Sequence, residues 1–170
     1  NKKKILFFCW IFLIIYLEKA FSEQFNFEAK EIQVLESGNV LSGKDDVKIT
    51  SDNNIEIDAD TFLYNKNTSI LIVNGNVKIN DRENNIEISG EEFTYLKNIE
   101  NFFSTGRVQA TLESKYFLDT KDIVYLIKEK NIVSKKKTSL TDDLNNLLET
   151  DNFHYSICNK IFKSNNFVYT

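Results

Sequence analysis

The sequence predicts an all-β fold built from repeats of about 30 residues. Apolar and polar residues alternate with a period of two, as in Ile55–Tyr64 (IEIDADTFLY), which is the pattern of a strand with one dry and one wet face. The same ten-residue pattern recurs, and its copies end at steps of 30 or 31 residues on Val34, Tyr64, Tyr95, Tyr125 and Tyr155. Such a period is typical of stacked units that cannot bury their own apolar faces singly.

The first 22 residues differ in composition from the rest of the chain. Lys2–Lys4 precede the unbroken apolar run Ile5–Leu17, and Ala20-Phe21-Ser22 follows it. This layout predicts a secretory signal peptide that is cleaved after Ser22. The run has 13 residues, whereas a membrane-spanning helix needs roughly 20, so a retained anchor is the less favoured alternative. We therefore expect a signal peptide at 1–22 and an exported β-domain at 23–170.

Removal of the signal peptide leaves an acidic domain with a single thiol. Residues 1–22 hold four lysines and one glutamate, so the formal net charge of −4 for the whole chain becomes −7 for residues 23–170. Binding of nucleic acid depends on Lys and Arg neutralising phosphates, and this charge therefore argues against a nucleic-acid partner. Cys158 cannot form an internal disulfide. We expect it to pack as a small buried apolar group, the alternative being a pairing with a cysteine outside the given chain.

Each repeat is expected to contain a corner. The apolar phase slips by one residue near Ala59-Asp60 and again near Gly90-Glu91. A slip of one residue would turn the following side chains to the wrong face, so the chain must kink or bulge at both places.

About three short strands are expected in each repeat. The dipeptide Asn74-Gly75 predicts a hairpin turn between the strands Ser69–Val73 and Val77–Asn80. The chain has no proline, so only charge is available to protect sheet edges, and the ends of the stack could be open for pairing.

The sequence predicts no catalytic or metal site. His154, the single histidine, is expected to point outward from a strand and lacks a partner for acid–base chemistry. Carboxylates such as Asp58 and Glu91 are expected on solvated strand faces, and Asp45-Asp46 do not match a calcium loop. The basic cluster Lys135–Lys137 is expected to be a solvated turn. We therefore expect no enzyme, no cofactor and no bound metal.

The inward positions of the repeats form the candidate site. They would line either a closed, packed core or an apolar groove for acyl chains, whose burial gains about 0.8 kcal/mol per methylene. Periodicity alone leaves both alternatives open. The first copy contributes Phe25, Phe27, Ile32 and Val34, and the last contributes Leu148, Phe153 and Tyr155. The candidate lining residues are Ile55, Ile57, Phe62, Tyr64, Ile86, Ile88, Phe93, Tyr95, Leu118, Ile123 and Tyr125.

The unit Ile55–Ile79 resembles the OstA-like repeat of the lipopolysaccharide transport proteins. It has the acidic-Ala-Asp corner, the aromatic-x-Tyr strand and the Gly-Asn-Val turn, and the copy Ile86–Ala110 keeps Tyr95 and Gly106-Arg107-Val108. The likeness covers most of Phe25–Tyr155 and fades in the last unit. It implies a twisted, V-shaped β-jellyroll of antiparallel strands whose apolar slot carries the lipid A acyl chains of lipopolysaccharide. It also implies end-to-end pairing of edge strands with other OstA-like domains in a periplasmic bridge, without a reaction or a cofactor.

The resemblance leaves the member of the family to be chosen. The chain stops at Phe167–Thr170, inside an apolar strand, and this ending is expected to be a truncation. We therefore expect the N-terminal periplasmic part of the outer-membrane assembly protein, whose barrel would follow and whose partner would be an outer-membrane lipoprotein. The alternatives within the family are a free periplasmic bridge protein and an inner-membrane member.

A hypothesis of another class is a secreted structural β-solenoid. The same 30-residue period suits a parallel β-helix with a closed core and no lipid ligand. Strand direction and access to the interior distinguish the two hypotheses.

Overall fold

A computed structural model describes residues 25–165 and 167–169, so the predicted signal peptide lies outside the described residues. Within them, fifteen antiparallel strands form one sheet, and a three-residue 3-10 turn, Glu36–Gly38, lies between the second and third strands. The prediction of an all-β fold is confirmed. A parallel β-helix is excluded, because every strand pairing in the described part of the chain is antiparallel.

The strands fall into a long central group and shorter ones at both ends. They are β1 (Phe25–Glu28), β2 (Glu31–Leu35), β3 (Val40–Ser51), β4 (Ile55–Asn65), β5 (Ile70–Asp81), β6 (Ile86–Leu96), β7 (Asn101–Leu112), β8 (Tyr116–Lys121), β9 (Val124–Leu126), β10 (Asn131–Ser134), β11 (Thr138–Thr141), β12 (Leu147–Thr150), β13 (Phe153–Ser156), β14 (Ile161–Lys163) and β15 (Phe167–Tyr169).

The central strands β3 to β7 are 11 or 12 residues long, and each is interrupted in its middle by a β-bulge. The pairing register shifts between Asp58 and Thr61 of β4 and between Gly90 and Glu92 of β6. The predicted corners at Ala59-Asp60 and Gly90-Glu91 are therefore confirmed. Bulges bend a strand and increase its twist, so one sheet folds into two facing layers and gives the expected jellyroll.

The prediction of a hairpin at Asn74-Gly75 is wrong. Strand β5 runs unbroken through this dipeptide and pairs with β4 and β6 on both sides of it. Gly75 and Asn76 have φ angles of 77° and 48°, the conformation that a tight hairpin would also require, and here they form the bulge. Each repeat thus contains two long, bent strands instead of about three short ones.

The two layers, here called wings, are defined by where each strand lies relative to the bulges. The tyrosine wing contains the halves of the central strands that include Leu41, Tyr64, Leu71, Tyr95 and Phe102, together with β2, β9, β10, β13 and β14. The isoleucine wing contains the halves that include Ile49, Ile57, Ile79, Ile88 and Ala110, together with β1, β8, β11, β12 and β15.

The wings separate into different strands after β7. Residues 107–112 of β7 pair with β8, and residues 101–103 pair with β9. Hydroxyl side chains are buried at the point of separation. The Thr120 and Thr138 Oγ1 atoms lie 2.7 Å apart, and the Ser134 hydroxyl donates to the Lys121 carbonyl at 2.7 Å. These bonds satisfy polar groups where no continuous strand crosses from one wing to the other.

The core lies between the wings. Phe27 of β1 stacks on Phe62 of the opposite wing with ring centroids 4.8 Å apart, and Phe25 meets the Tyr95 ring at 5.5 Å. These contacts close the N-terminal end of the interior. Cys158, expected to be buried, is exposed, and that prediction is wrong. The inward alternation runs through Phe153, Tyr155 and Ile157, so Cys158 falls on the outward phase, in the turn that follows β13.

Candidate functional site

The interior between the wings brings together all eleven predicted lining residues. Every one lies in the same apolar cluster, and none is more than 8% exposed. Strands β4 and β6 supply eight of them, β8 and β9 supply Leu118 and Tyr125, and Ile123 lies between these two strands. Their position in the interior follows the alternation read from the sequence. That they line a lipid slot stays a prediction, since in this structure the side chains fill the space between the wings.

The first copy of the repeat is less buried than expected. Ile32 and Val34 pair with Gly43 and Leu41, which in turn pair with Phe62 and Tyr64. This register places Ile32 and Val34 on the inner face, as expected, yet they are 44% and 64% exposed. The reason is that β2 is an edge strand and pairs only with β3 among the described strands. The interior is therefore uncovered along β2.

Gly43 has a packing role that sequence analysis missed. It lies within β3, opposite Phe62. A Cβ atom at Gly43 would lie 2.2 Å from Cε1 of Phe62, far inside van der Waals contact. Glycine therefore leaves the space that the Phe62 ring occupies, and the ring in turn carries the stacking on Phe27.

The loops of the two wings meet along a line opposite the bulges, which we call the seam. The Tyr125 hydroxyl of the tyrosine wing donates a hydrogen bond to the Asp81 carboxylate of the isoleucine wing. The Tyr155 hydroxyl likewise donates to Glu113 at 2.7 Å, and Lys160 Nζ lies 3.0 Å from the same carboxylate. Lys130 adds an ion pair with Glu83 at 3.5 Å. Polar contacts thus join the wings where the sheet does not.

The seam changes the ionisation of its members. Burial, together with the Asp81 carboxylate, raises the pKa of the Tyr125 phenol far above its ordinary value. The pKa of Tyr155 is raised by burial and by Glu113. Hydrogen bonds from Tyr155 and Lys160 lower the pKa of Glu113. Both phenols are therefore neutral donors and Glu113 is an ionised acceptor across the physiological range. The seam was not predicted from the sequence, although tyrosine instead of phenylalanine at the end of four of the five repeat copies was the available signal.

The outer face carries the polar residues of the repeats. His154 is exposed, as predicted, and so are Asp58, Glu91 and the basic turn Lys135–Lys137, where Lys136 lies 3.4 Å from Asp122. Within residues 25–165 and 167–169, no three His, Cys, Asp or Glu side chains are grouped so as to hold a metal ion. The same residues include no helix that is long and apolar enough to cross a membrane.

The fold and its interior define a β-jellyroll domain of repeated, bent, antiparallel strands. A family model described as OstA-like protein matches residues 27–143, and the chain belongs to this family. The resemblance read from the repeat is thereby confirmed. The OstA-like family is one of transport and structural proteins and not of enzymes.

One solved structure that matches the chain is that of LptH, the LptA homologous periplasmic component of the conserved lipopolysaccharide transport device from Pseudomonas aeruginosa. The sequences are 10% identical, the match covers 87% of this chain and 94% of that chain, and the TM-score is 0.33. No curated protein sequence matches the chain.

Proposed function

We propose that this chain is an exported lipopolysaccharide transport domain whose residues 23–170 hold the lipid A acyl chains between the two wings. The observation that carries the proposal is the repeat-aligned apolar interior, which extends from β1 to β14 between facing sheets. Membership of the OstA-like family supports it. Acyl chains gain about 0.8 kcal/mol per methylene on leaving water, while the sugars would stay outside the wings.

The free edges support a role in a bridge of several domains. Strands β1 and β2 at one end and β14 and β15 at the other each pair on one side only within the described part of the chain. Such edges can accept a strand from another OstA-like domain by β-augmentation. The proposed location is the periplasm, with attachment to the outer membrane through a following barrel and its lipoprotein partner.

Photo-crosslinking tests the proposal. Benzoylphenylalanine replaces Phe93, which is fully buried in the interior, or Thr94, which is half-buried on the opposite face of the same strand. The folded domain is then mixed with lipopolysaccharide and irradiated. We expect crosslinking from position 93 and not from position 94. Absence of lipid adducts at position 93, in protein whose circular dichroism matches the parent, would refute the lipid slot.

A closed scaffold is the second candidate function. The filled interior, in which none of the eleven residues is more than 8% exposed, favours a structural OstA-like domain without a lipid ligand. In that case neither position crosslinks to lipopolysaccharide, and only the edge strands bind partners.

A further inference from the structure

The seam is the side on which the two wings can part. On the opposite side, β3 to β7 run from one wing to the other as continuous chain. Separation there would break the backbone ladders of the sheet. Along the seam the wings are joined by side chains alone, so this is the side that can part while the strand pairing is kept.

The tyrosine side of the seam contacts repeats with the sequence. Tyr125 and Tyr155 occupy the same place in consecutive repeats, 30 residues apart. Each hydroxyl reaches back to a carboxylate of the opposite wing, 44 residues earlier at Asp81 and 42 residues earlier at Glu113. Phenylalanine would fill the same volume, so the function of tyrosine at these positions lies in its hydroxyl.

The Asp81 carboxylate is held by its own loop, independently of its contact with Tyr125. It is only 2% exposed, and it accepts hydrogen bonds from the backbone N–H of Asn84 at 3.0 Å and from Asn84 Nδ2 at 2.7 Å. Glu113 differs, because Lys160, which lies in the turn between β13 and β14 of the tyrosine wing, contacts it across the seam at 3.0 Å. At Asp81, the preorganised acceptor lets a single hydroxyl form or break the contact without rearrangement of the loop.

We propose that the pairs Tyr125–Asp81 and Tyr155–Glu113 are latches that hold the wings together and control the entry of an acyl chain into the interior. The identity of the ligand rests on the proposed function above, whereas the closure of the seam does not. Removal of one tyrosine hydroxyl takes away no apolar packing, because the ring stays on the inner face. Release of both latches widens the seam towards the C-terminal half, where the wings are made of separate strands.

The experiment measures the width of the seam and lipid capture in the same proteins. Spin labels are attached to Arg82→Cys and Glu129→Cys, two exposed loop positions on opposite wings, in a Cys158→Ser background. Pulsed electron–electron double resonance gives the distribution of distances between the two labels in the absence of ligand. The variant Tyr125→Phe/Tyr155→Phe is compared with Tyr64→Phe, a buried tyrosine of the same series that joins no cross-wing hydrogen bond among the described residues. Glu113→Gln is a second, milder variant, because its carboxylate lies partly in solvent.

The expected result is a longer and broader distance in the double variant, a smaller change in Glu113→Gln and none in Tyr64→Phe. We then expect the lipopolysaccharide concentration that gives half-maximal crosslinking at position 93 to fall, relative to the parent, by about fivefold for each hydroxyl removed. Unchanged distances in the double variant would overturn the latch, whatever the lipid result. A widened seam with no lipopolysaccharide adduct in any variant would support the latch and overturn the proposed ligand.

Discussion

Replacement of Gly43 by alanine tests how tightly the wings pack. The added Cβ would lie 2.2 Å from Cε1 and 2.9 Å from Cδ1 of Phe62. The ring has little freedom to move, because it is 3% exposed and stacks on Phe27. Overpacking of this kind costs about 1–3 kcal/mol. A glycine-to-alanine change also restricts the unfolded chain, which stabilises a compatible site by about 0.4–1 kcal/mol.

The clash is the larger of these opposing effects. The midpoints of the two ranges differ by about 1.3 kcal/mol, so we expect Gly43→Ala to lower the free energy of unfolding by about that amount. For a domain of this size, the corresponding fall in Tm is roughly 3–5 °C. Thermal unfolding followed by circular dichroism measures this shift. The same substitution in a Phe62→Leu background completes a double-mutant cycle.

The cycle separates the clash from any general effect of the substitution. The smaller leucine leaves room for the new methyl group, so Gly43→Ala should cost less in the Phe62→Leu background than in the parent. An equal loss of Tm in both backgrounds, or a gain in the parent, would refute the argument that Gly43 is present to accommodate the ring.

Two further predictions concern the bulges and the seam. Gly75→Ala should lower the urea midpoint of unfolding more than Gly106→Ala. Both positions have positive φ angles (77° and 85°), but only a Cβ at Gly75 meets the Asp60 carboxylate, at 2.3 Å. Equal decreases in the urea midpoint would contradict this close approach. Glu113→Gln should remove a pH-dependent part of the stability. Because the folded state lowers the pKa of Glu113 from its ordinary value of 4.5, its contribution is fully present above about pH 4.5 and is lost as the pH falls through the lowered pKa. The stability difference between parent and variant should thus be constant near neutrality and shrink in acid, and a difference unchanged at about pH 3 would contradict this.

The corners were predictable because their cause is local. A strand with one buried face cannot change the phase of its apolar–polar alternation without a bulge. The sequence shows such a change of phase at Ala59-Asp60 and at Gly90-Glu91. The prediction of a hairpin at Asn74-Gly75 is wrong, although the positive φ angles that it required are present. The dipeptide Gly75-Asn76 does adopt positive φ angles, but neighbouring strands on both sides extend β5 past it. The neighbouring strands decide whether such a dipeptide forms a bulge or a hairpin, and the local sequence does not identify those strands.

The seam could not be predicted for a related reason. Its hydrogen bonds join residues 42 and 44 positions apart, and the carboxylates at Asp81 and Glu113 do not occupy equivalent places in the repeat. Only the tyrosine side of each pair is periodic. The exposure of Cys158, by contrast, has a local cause, because the alternation through Phe153, Tyr155 and Ile157 places Cys158 on the outward phase.

The order of strands also bears on how the chain reaches this structure. From β3 to β7 each strand pairs with the one that follows it in sequence, so these pairings close short loops, and contacts of short sequence separation favour rapid folding. The chain has no proline, which removes prolyl isomerisation as a slow step. Folding is therefore expected to start from the central hairpins and to spread outward. In hydrogen exchange, the outlying strands β2 and β14 should lose protection first and β5 and β6 last.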